Sequence, residues 1–468
     1  MEVQIGSTLT VIDPSPELKQ WCKENLVLEN PEYHKKIRMG FWVGKTPEYI
    51  RLYQTNAGNL ILPYGVLRNC LHELQFANKV TKTFKEATKV DYGKPVPLYD
   101  YQEEAVKKLK LANYGILQSK AGSGKTQMGI ALTKLYGVKT LWLTHTLDLL
   151  QQSKARALSY MDESLIGTIA SGKVDIGKGI TFATVQTMSK LDLRQYENEW
   201  DLIIVDECHR VAGTPTALTM FYKVLNSLCA RHKYGLSATV HRADGLIEAT
   251  YALLGEVVHT VPDEDVADKT MKVGVKVIET GVRMTYDCLN TDGTINFAKL
   301  ISYITEEDSR NELIVEELVK NQEHPTLILS DRLKHLELLR DSLPVDMLVN
   351  SAMVSGKMNT KKGKEEREEI MNKMRSGKLK YLFATYSLAK EGLDIPCLER
   401  LFLVTPQKDY AIVTQSAGRI ARISEGKKPP IIYDFVDQMD YLVHMFKKRK
   451  TTYNKIGCYY VEDDKDLC

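Results

Sequence analysis

The sequence predicts an α/β fold in which two tandem parallel-sheet domains follow a small α+β N-terminal module. Three observations predict it. Short apolar runs alternate with helical patterns through two long stretches, the rhythm of parallel strands joined by crossover helices. The chain has 468 residues, 43% of them hydrophobic, enough for about three domains at the usual ~150 residues each. A glycine-containing turn, Gly122-Ser123-Gly124-Lys125-Thr126, falls between a strand-like run and a helical one.

Residues 1–92 are rich in aromatics and lack a strand-then-helix rhythm. Gly40-Phe41-Trp42-Val43-Gly44 and Ile50-Arg51-Leu52-Tyr53 read as short strands, with turns at Lys45-Thr46-Pro47 and Asn56-Ala57-Gly58-Asn59. In Lys94-Pro95-Val96-Pro97 two prolines two apart resist both helix and central strand, which marks a linker. The first α/β domain is expected over 93–265, with strands at Thr140 to Leu143, Ile180 to Ala183, Leu202 to Val205 and Tyr234 to Leu236. Acidic Pro262-Asp263-Glu264-Asp265 is the expected hinge. The second is expected over 266–445, with strands at Thr326 to Leu329, Tyr381 to Ala384, Leu401 to Val404 and Ile431 to Tyr433. Residues 446–468 read as a basic C-terminal tail. The second domain has no phosphate loop of its own, so it is expected to supply groups in trans.

Composition narrows the function classes. The longest apolar runs are far below the ~18 residues that span a bilayer, and Met1-Glu2-Val3-Gln4 carries no charged-then-apolar signal, so a cytoplasmic protein without a membrane partner is expected. Eight scattered cysteines without a Cys-x-x-Cys pair favour reduced, structural thiols over disulfides or zinc. A net charge of only +3 means that any nucleic-acid surface must be local. His34-Lys35-Lys36-Ile37-Arg38 and Phe446-Lys447-Lys448-Arg449-Lys450 are candidates, with solvated faces as the alternative. Nothing in the sequence decides the oligomeric state, and a monomer is compatible with it.

Two motifs form the halves of an ATP-hydrolysing centre. The strand-like Tyr114-Gly115-Ile116-Leu117 leads through Gly122, Ser123 and Gly124 into the helical Met128-Gly129-Ile130-Ala131-Leu132, so backbone N–H groups and a helix N-terminus converge on phosphate. Lys125 adds a point charge and Thr126 a hydroxyl for Mg²⁺. The second half is Asp206-Glu207-Cys208-His209, closing the apolar run Leu202-Ile203-Ile204-Val205. Asp206 can hold Mg²⁺ through water, and Glu207 is placed to orient or deprotonate the attacking water.

From Tyr99 to Asp437 the motifs and their order resemble the superfamily 2 helicases, whose two RecA-like domains clamp ATP and track along nucleic acid. The resemblance implies an adenine-recognising Gln102 beside Tyr101. His145-Thr146-Leu147-Asp148-Leu149 and Thr184-Val185-Gln186-Thr187 are similar to motifs that touch strand phosphates through Thr146 and Thr184. Ordinary strand-end caps are the alternative for each. Ser237-Ala238-Thr239 is similar to the motif that links hydrolysis to domain movement, through His209. Thr385 through Gly392-Leu393-Asp394 resembles motif V, which implies Thr385 at the strand and Asp394 at the nucleotide. Gln415-Ser416-Ala417-Gly418-Arg419-Ile420-Ala421-Arg422 fits Gln-x-x-Gly-Arg-x-x-Arg at every fixed position. It implies catalytic roles for Gln415, Arg419 and Arg422; the arginines fall three apart and are expected on one helix face, as fingers for the γ-phosphate.

Asp-Glu-Cys-His, the Arg242-Ala243-Asp244 element and the front module resemble the XPB- and UvsW-type DNA translocases more than RNA helicases. Lys36 to Trp42, followed by Asn59 to Gly65, is similar to the N-terminal module of phage UvsW helicases. Lys35, Lys36, Arg38 and Trp42 are the expected DNA contacts there, and Arg242 another. The expected activity is ATP- and Mg²⁺-dependent remodelling of branched or forked DNA in recombination, repair or replication. An RNA helicase of the same fold and a nucleotide-switched scaffold without hydrolysis are the alternatives. No catalytic position is vacant, which opposes the scaffold.

Overall fold

A computed structural model describes residues 1–120, 122–212, 215–240, 245–267, 270–283, 285, 288–290, 292–355, 358, 361–386 and 395–461. The chain divides into two compact units, one of residues 1–120 and 124–262, the other of residues 263–468 with 121–123.

The first unit opens with β1 (Glu2–Ile5), β2 (Thr8–Ile12), β3 (Val27–Glu29), β4 (Tyr49–Arg51), β5 (Gln54–Asn56), β6 (Asn59–Pro63) and β7 (Lys79–Lys82). Five of these form a sheet in the order β5-β6-β2-β1-β7, while β3 and β4 pair separately. Val3 and Ile5 alternate with exposed Glu2 and Gln4, the period-2 pattern of a sheet with one buried face. The helix Pro16–Asn25, capped by Ser15, packs Leu18 and Cys22 into this face, and one continuous core joins it to the α/β part behind. The turn Asn56 to Asn59 forms as expected, with Ala57 and Gly58 at φ 48° and 84°.

The expected strand Gly40 to Gly44 does not form. Gly40 and Gly44 take left-handed φ of 67° and 55°, Phe41 N–H folds back to Lys36 O, and Thr46 N–H closes a turn onto Val43 O. Two left-handed residues four apart are incompatible with an extended run. Strand pairing shifts instead to β4 and β5.

Behind the module lies an eight-stranded sheet of β8 (Tyr114–Gln118), β9 (Thr140–Thr144), β10 (Ile166–Ala170), β11 (Lys173–Asp175), β12 (Ile180–Thr184), β13 (Leu202–Asp206), β14 (His232–Ser237) and β15 (Val257–Thr260). Its order is β11-β10-β12-β9-β13-β14-β8-β15, with only β11 antiparallel to its neighbour. The four expected strands are β9, β12, β13 and β14. Lys233 of β14 is fully buried, and its ammonium donates to Leu225 O (2.6 Å) in the last turn of the helix Pro215–Ser227 and to Ser7 O (2.9 Å) between β1 and β2. Burial pushes this amine down to about 7.

The second unit holds β16 (Gly274–Glu279), β17 (Thr326–Ser330), β18 (Ser351–Val354), β19 (Tyr381–Thr385), β20 (Arg400–Leu403), β21 (Ile431–Val436) and β22 (Tyr459–Tyr460) in the order β18-β19-β17-β20-β21-β16-β22, parallel throughout. The expected strands are β17, β19, β20 and β21. Phe446 to Lys450 lie within the helix Asp440–Lys455. Arg449 there is 2% exposed and forks onto Asp434 of β21 with two bonds of 2.8 Å, so one charge of that basic run is turned inward and neutralised. Among the described residues the cysteines are free thiols, and no helix is long and apolar enough to cross a membrane.

Candidate nucleotide site and nucleic-acid interface

Parallel strands bring all their C-terminal ends to one edge, where α/β sheets hold ligands. At that edge the neighbours β13, β14 and β8 deliver Asp206, Ser237 and the phosphate loop side by side. Ser119 N–H donates to Ser237 O at 2.9 Å and ties the loop's start to the next strand. Gly122 and Gly124 take φ of 87° and 82°, and the helix Lys125–Tyr136 begins directly after them, leaving its first amides without intrahelical acceptors. The φ of Gly124 favours glycine, and a Cβ there would meet Gln102 Nε2 at 2.5 Å. The structure thereby sets Gln102 against the phosphate loop. Its Oε1 accepts from Tyr99 N–H at 3.1 Å and its Nε2 donates to Tyr101 Oη at 3.3 Å.

Lys125, on the first turn of that helix, donates its ammonium to Ser119 O (3.0 Å) and Lys120 O (3.3 Å). Asp206 is buried; its Oδ2 accepts from Ser153 Oγ at 3.0 Å and its Oδ1 from Glu207 N–H at 3.0 Å. Burial first, and the Glu207 charge second, push the Asp206 carboxyl up to about 6. Burial opposes the ionised Glu207 as well, but Lys125 and then His209 outweigh it and hold that carboxyl low. Glu207 also sits at φ 49°, a left-handed strain for a non-glycine residue at the end of a strand. His209 Nδ1 lies 3.2 Å from Glu207 Oε2 and 2.9 Å from Ser237 Oγ, and Ser237 Oγ bonds onward to Thr239 O at 2.6 Å. A buried and a half-buried carboxyl, a half-buried Thr126 hydroxyl, a lysine and a helix N-terminus make a donor set that fits a Mg²⁺-nucleotide. Ser153 had no local signal in the sequence. It reaches Asp206 only through the packing of the helix Leu147–Leu158.

Thr146 and Thr184, expected at strand phosphates, sit at the same edge but carry local bonds. Thr146 caps the helix Leu147–Leu158 by accepting from Leu149 N–H at 3.3 Å, and Thr184 Oγ1 donates to Thr187 Oγ1 at 3.0 Å. Thr385 ends β19 in the second unit. Arg242 and Asp394 lie outside the described residues. In the front module, Lys35 and Arg38 are exposed on the helix Pro31–Arg38, whereas Lys36 turns to Thr46 Oγ1 (2.6 Å) and Glu32 (3.2 Å). Phe41 and Trp42 are 59% and 88% exposed, so they are not the module's core.

The arginine motif differs from its expected geometry. The helix Tyr410–Ile420 carries Gln415 and Arg419, but it ends before Arg422, and the two arginines do not share a helix face. The reason lies in the carbonyls that would continue the helix. Met271 N–H takes Ala421 O at 2.7 Å, Arg422 pairs as a β-bridge with Thr270, and the Lys427 ammonium takes Ile420 O (2.8 Å), Arg422 O (2.7 Å) and Pro396 O (2.8 Å). Burial pushes the Lys427 amine down to about 8. Sequence spacing gave no hint of Lys427, because its acceptors are main-chain oxygens. Gln415 Oε1 is buried without a hydrogen-bond partner among the described residues.

Residues 95–242 match the family described as "Type III restriction enzyme, res subunit", and residues 309–424 match "Helicase conserved C-terminal domain". The chain is 27% identical over 322 residues to "Probable helicase D10" of Escherichia phage T5, covering 69% of this chain and 67% of the relative. It is 26% identical over 361 residues to the DNA 3'-5' translocase XPB2 of Sulfurisphaera tokodaii, covering 70% and 79%. In fold it is similar to Saccharomyces cerevisiae Dbp5 bound to RNA and ADP BeF3, with a TM-score of 0.56 at 16% identity over 86% of this chain and 94% of that one. With helicase sequence in both units, on two RecA-like parallel sheets, and with a phosphate loop and paired carboxylates meeting at one sheet edge, the chain is a superfamily 2 helicase.

Proposed function

We propose that this helicase is an ATP- and Mg²⁺-dependent DNA translocase of the cytoplasm that remodels forks and junctions in recombination, repair or replication. The observation that carries the choice of branched DNA is the front module's presentation of exposed Phe41 and Trp42 beside exposed Lys35 and Arg38, a pairing of aromatic faces and cations suited to an unpaired strand next to a duplex. The similarity to a protein named as a DNA 3'-5' translocase supports DNA as the track and that direction of movement.

In this reading the amides after Gly122, Ser123 and Gly124 cradle phosphate while Lys125 adds charge, and Gln102 meets the adenine edge. Thr126 and Asp206 would hold Mg²⁺, which supplies charge neutralisation on the phosphates. Glu207 orients the attacking water and takes its proton as the oxygen bonds to the γ-phosphorus and the β–γ bridge breaks, releasing ADP and phosphate. Arg419 and Arg422, with Gln415, act on charge that develops on the γ-phosphate, and Asp394 meets the nucleotide. His209 links the water-handling carboxylate to Ser237 and Thr239, giving hydrolysis a mechanical outlet. Thr146, Thr184, Thr385 and Arg242 hold strand phosphates, contacts that position without reading sequence.

ATPase and unwinding measured across forks, four-way junctions, duplex DNA, single strands and RNA duplexes test the proposal. Strongest stimulation by forks or junctions is expected. Stimulation by RNA alone would replace DNA with RNA as the track, and ATP binding without turnover on any of them would leave a switch.

A further inference from the structure

The front module and the helix Pro215–Ser227 line an open cavity of about 650 Å³ whose lining includes Trp42, Lys45, Tyr49 and Arg51 on one side and Leu218 and Thr219 on the other. Its rim is built to expose aromatic surface. Trp42 is 88% and Tyr49 52% exposed, although burying a large apolar side chain is ordinarily favourable. The loop that carries Trp42 is nonetheless tied down: Lys36 donates to Thr46 Oγ1 (2.6 Å), Asn30 Nδ2 to Pro47 O (2.8 Å) and Thr46 N–H to Val43 O (3.0 Å). The indole lies over Gly44, where a Cβ would come within 3.2 Å of the ring. A large aromatic held outward by a braced loop marks a binding surface rather than a misplaced core residue.

The charged residues that line the cavity are positive on balance and favour an anion, with Glu48 beside Tyr49 at the rim. Lys36 is matched by Glu32 at 3.2 Å, and Lys45 and Arg51 add two further positive charges to the lining. The volume lies in the range of small-molecule sites and suits one nucleotide, not a duplex. The opposite wall belongs to the helix that follows Asp206 to His209 in sequence, so an occupant would touch the module and the ATP-hydrolysing domain together.

We infer that this cavity captures a single unpaired nucleotide of a DNA strand, its base stacked on Trp42 with Tyr49 at the rim and its phosphate met by Lys45 and Arg51. The inference rests on the proposed DNA function and adds to it the site and the form of the ligand.

The test uses the full chain and two forks that differ at one position: the unpaired nucleotide nearest the branch is either 2-aminopurine or an abasic site. The wild type should bind the 2-aminopurine fork roughly 5- to 150-fold more tightly, the usual worth of one base stacked on an aromatic ring. Trp42→Ala should bind the two forks equally, and the 2-aminopurine emission change seen with the wild type should vanish. Lys45→Ala should keep the preference for the base but lower the log–log salt slope by about 0.7, the loss of one single-strand phosphate contact. An abasic penalty that persists undiminished in folded Trp42→Ala, or no penalty in the wild type, overturns the assignment. Should the wild type bind forks no better than plain duplex, the branched-DNA function fails, and the same pair of oligonucleotides as single strands still decides the cavity.

Discussion

Replacing Ser153 by alanine should weaken the Asp206 carboxylate that the proposed nucleotide site would offer to Mg²⁺. Ser153 Oγ donates to Asp206 Oδ2 at 3.0 Å, with both residues buried. A hydrogen bond to a charged group contributes about 1.5–3 kcal/mol, a factor of roughly 10–150 in favour of the ionised form. Burial and the Glu207 charge already hold Asp206 up at about 6, and the Ser153 bond is among the few interactions that pull it down. Its loss therefore raises the carboxyl further, and near neutral pH more of the sites carry a proton that competes with the cation. The Mg²⁺ concentration for half-maximal ATPase should rise about 2- to 15-fold at pH 7, the factor by which the ionised fraction of the carboxyl falls. Raising the pH to 8.5 should narrow the gap, because deprotonation restores the ligand in the variant more than in the wild type. The assay is a Mg²⁺ titration of steady-state ATPase at the two pH values with constant free ATP. Equal half-saturation in the two proteins at pH 7 would refute the argument, and an equal deficit at both pH values would refute its protonation step.

Other residues allow sharper tests of role. Glu207→Gln should bind ATP and fail to turn it over, measured as retained nucleotide after gel filtration; substantial turnover would remove Glu207 from water activation. Arg422→Ala should keep near-normal ATP affinity and lose at least ~10³-fold in kcat, since a finger acts on charge developed in the transition state; lost affinity with preserved kcat would make Arg419 the better candidate. Lys427→Met removes the donor shared by Ile420 O and Arg422 O, so kcat should fall by about 10- to 100-fold with KM for ATP little changed, and a KM effect alone would argue against positioning. Lys233, held down at about 7 from 10.5, contributes stability that is full above 10.5 and lost as pH falls through about 7. Urea unfolding followed by tryptophan fluorescence reports this, because Trp21, Trp42, Trp142 and Trp200 all lie in the first unit. Between pH 7 and 9 the wild type should gain up to about 1.4 kcal/mol per pH unit relative to Lys233→Met, and parallel profiles would contradict it.

Much of the fold was legible because its central strands are buried on both faces. Leu202 to Val205 reads as an unbroken apolar run since every residue of β13 is buried, and β9 and β12, also buried throughout, interrupt their apolar residues only with threonine. The flanking strands β10, β11, β15, β16 and β18 escaped the sequence reading, being shorter or more mixed in character. The Gly40 to Gly44 run misled for a local reason: apolar content suggested a strand, but glycines at both ends allowed left-handed turns that only the surrounding hydrogen bonds select. The Gln415 to Arg422 spacing predicted one helix face, a rule that holds only while the helix continues, and Lys427 and Met271 decide that it stops.

By itself the sequence determined what depends on near neighbours along the chain: the alternation of strand and helix, the left-handed glycines of the phosphate loop, and carboxylates placed where a buried strand ends. Only the tertiary structure decided which distant groups meet them. The strand order β9-β13-β14-β8 is not the order of the chain, and it sets Asp206 beside Ser153 across 53 residues and His209 beside Ser237 across 28. Neither pairing leaves a trace in local composition, because a hydroxyl that meets a carboxylate across a sheet edge has the same sequence surroundings as one that meets water.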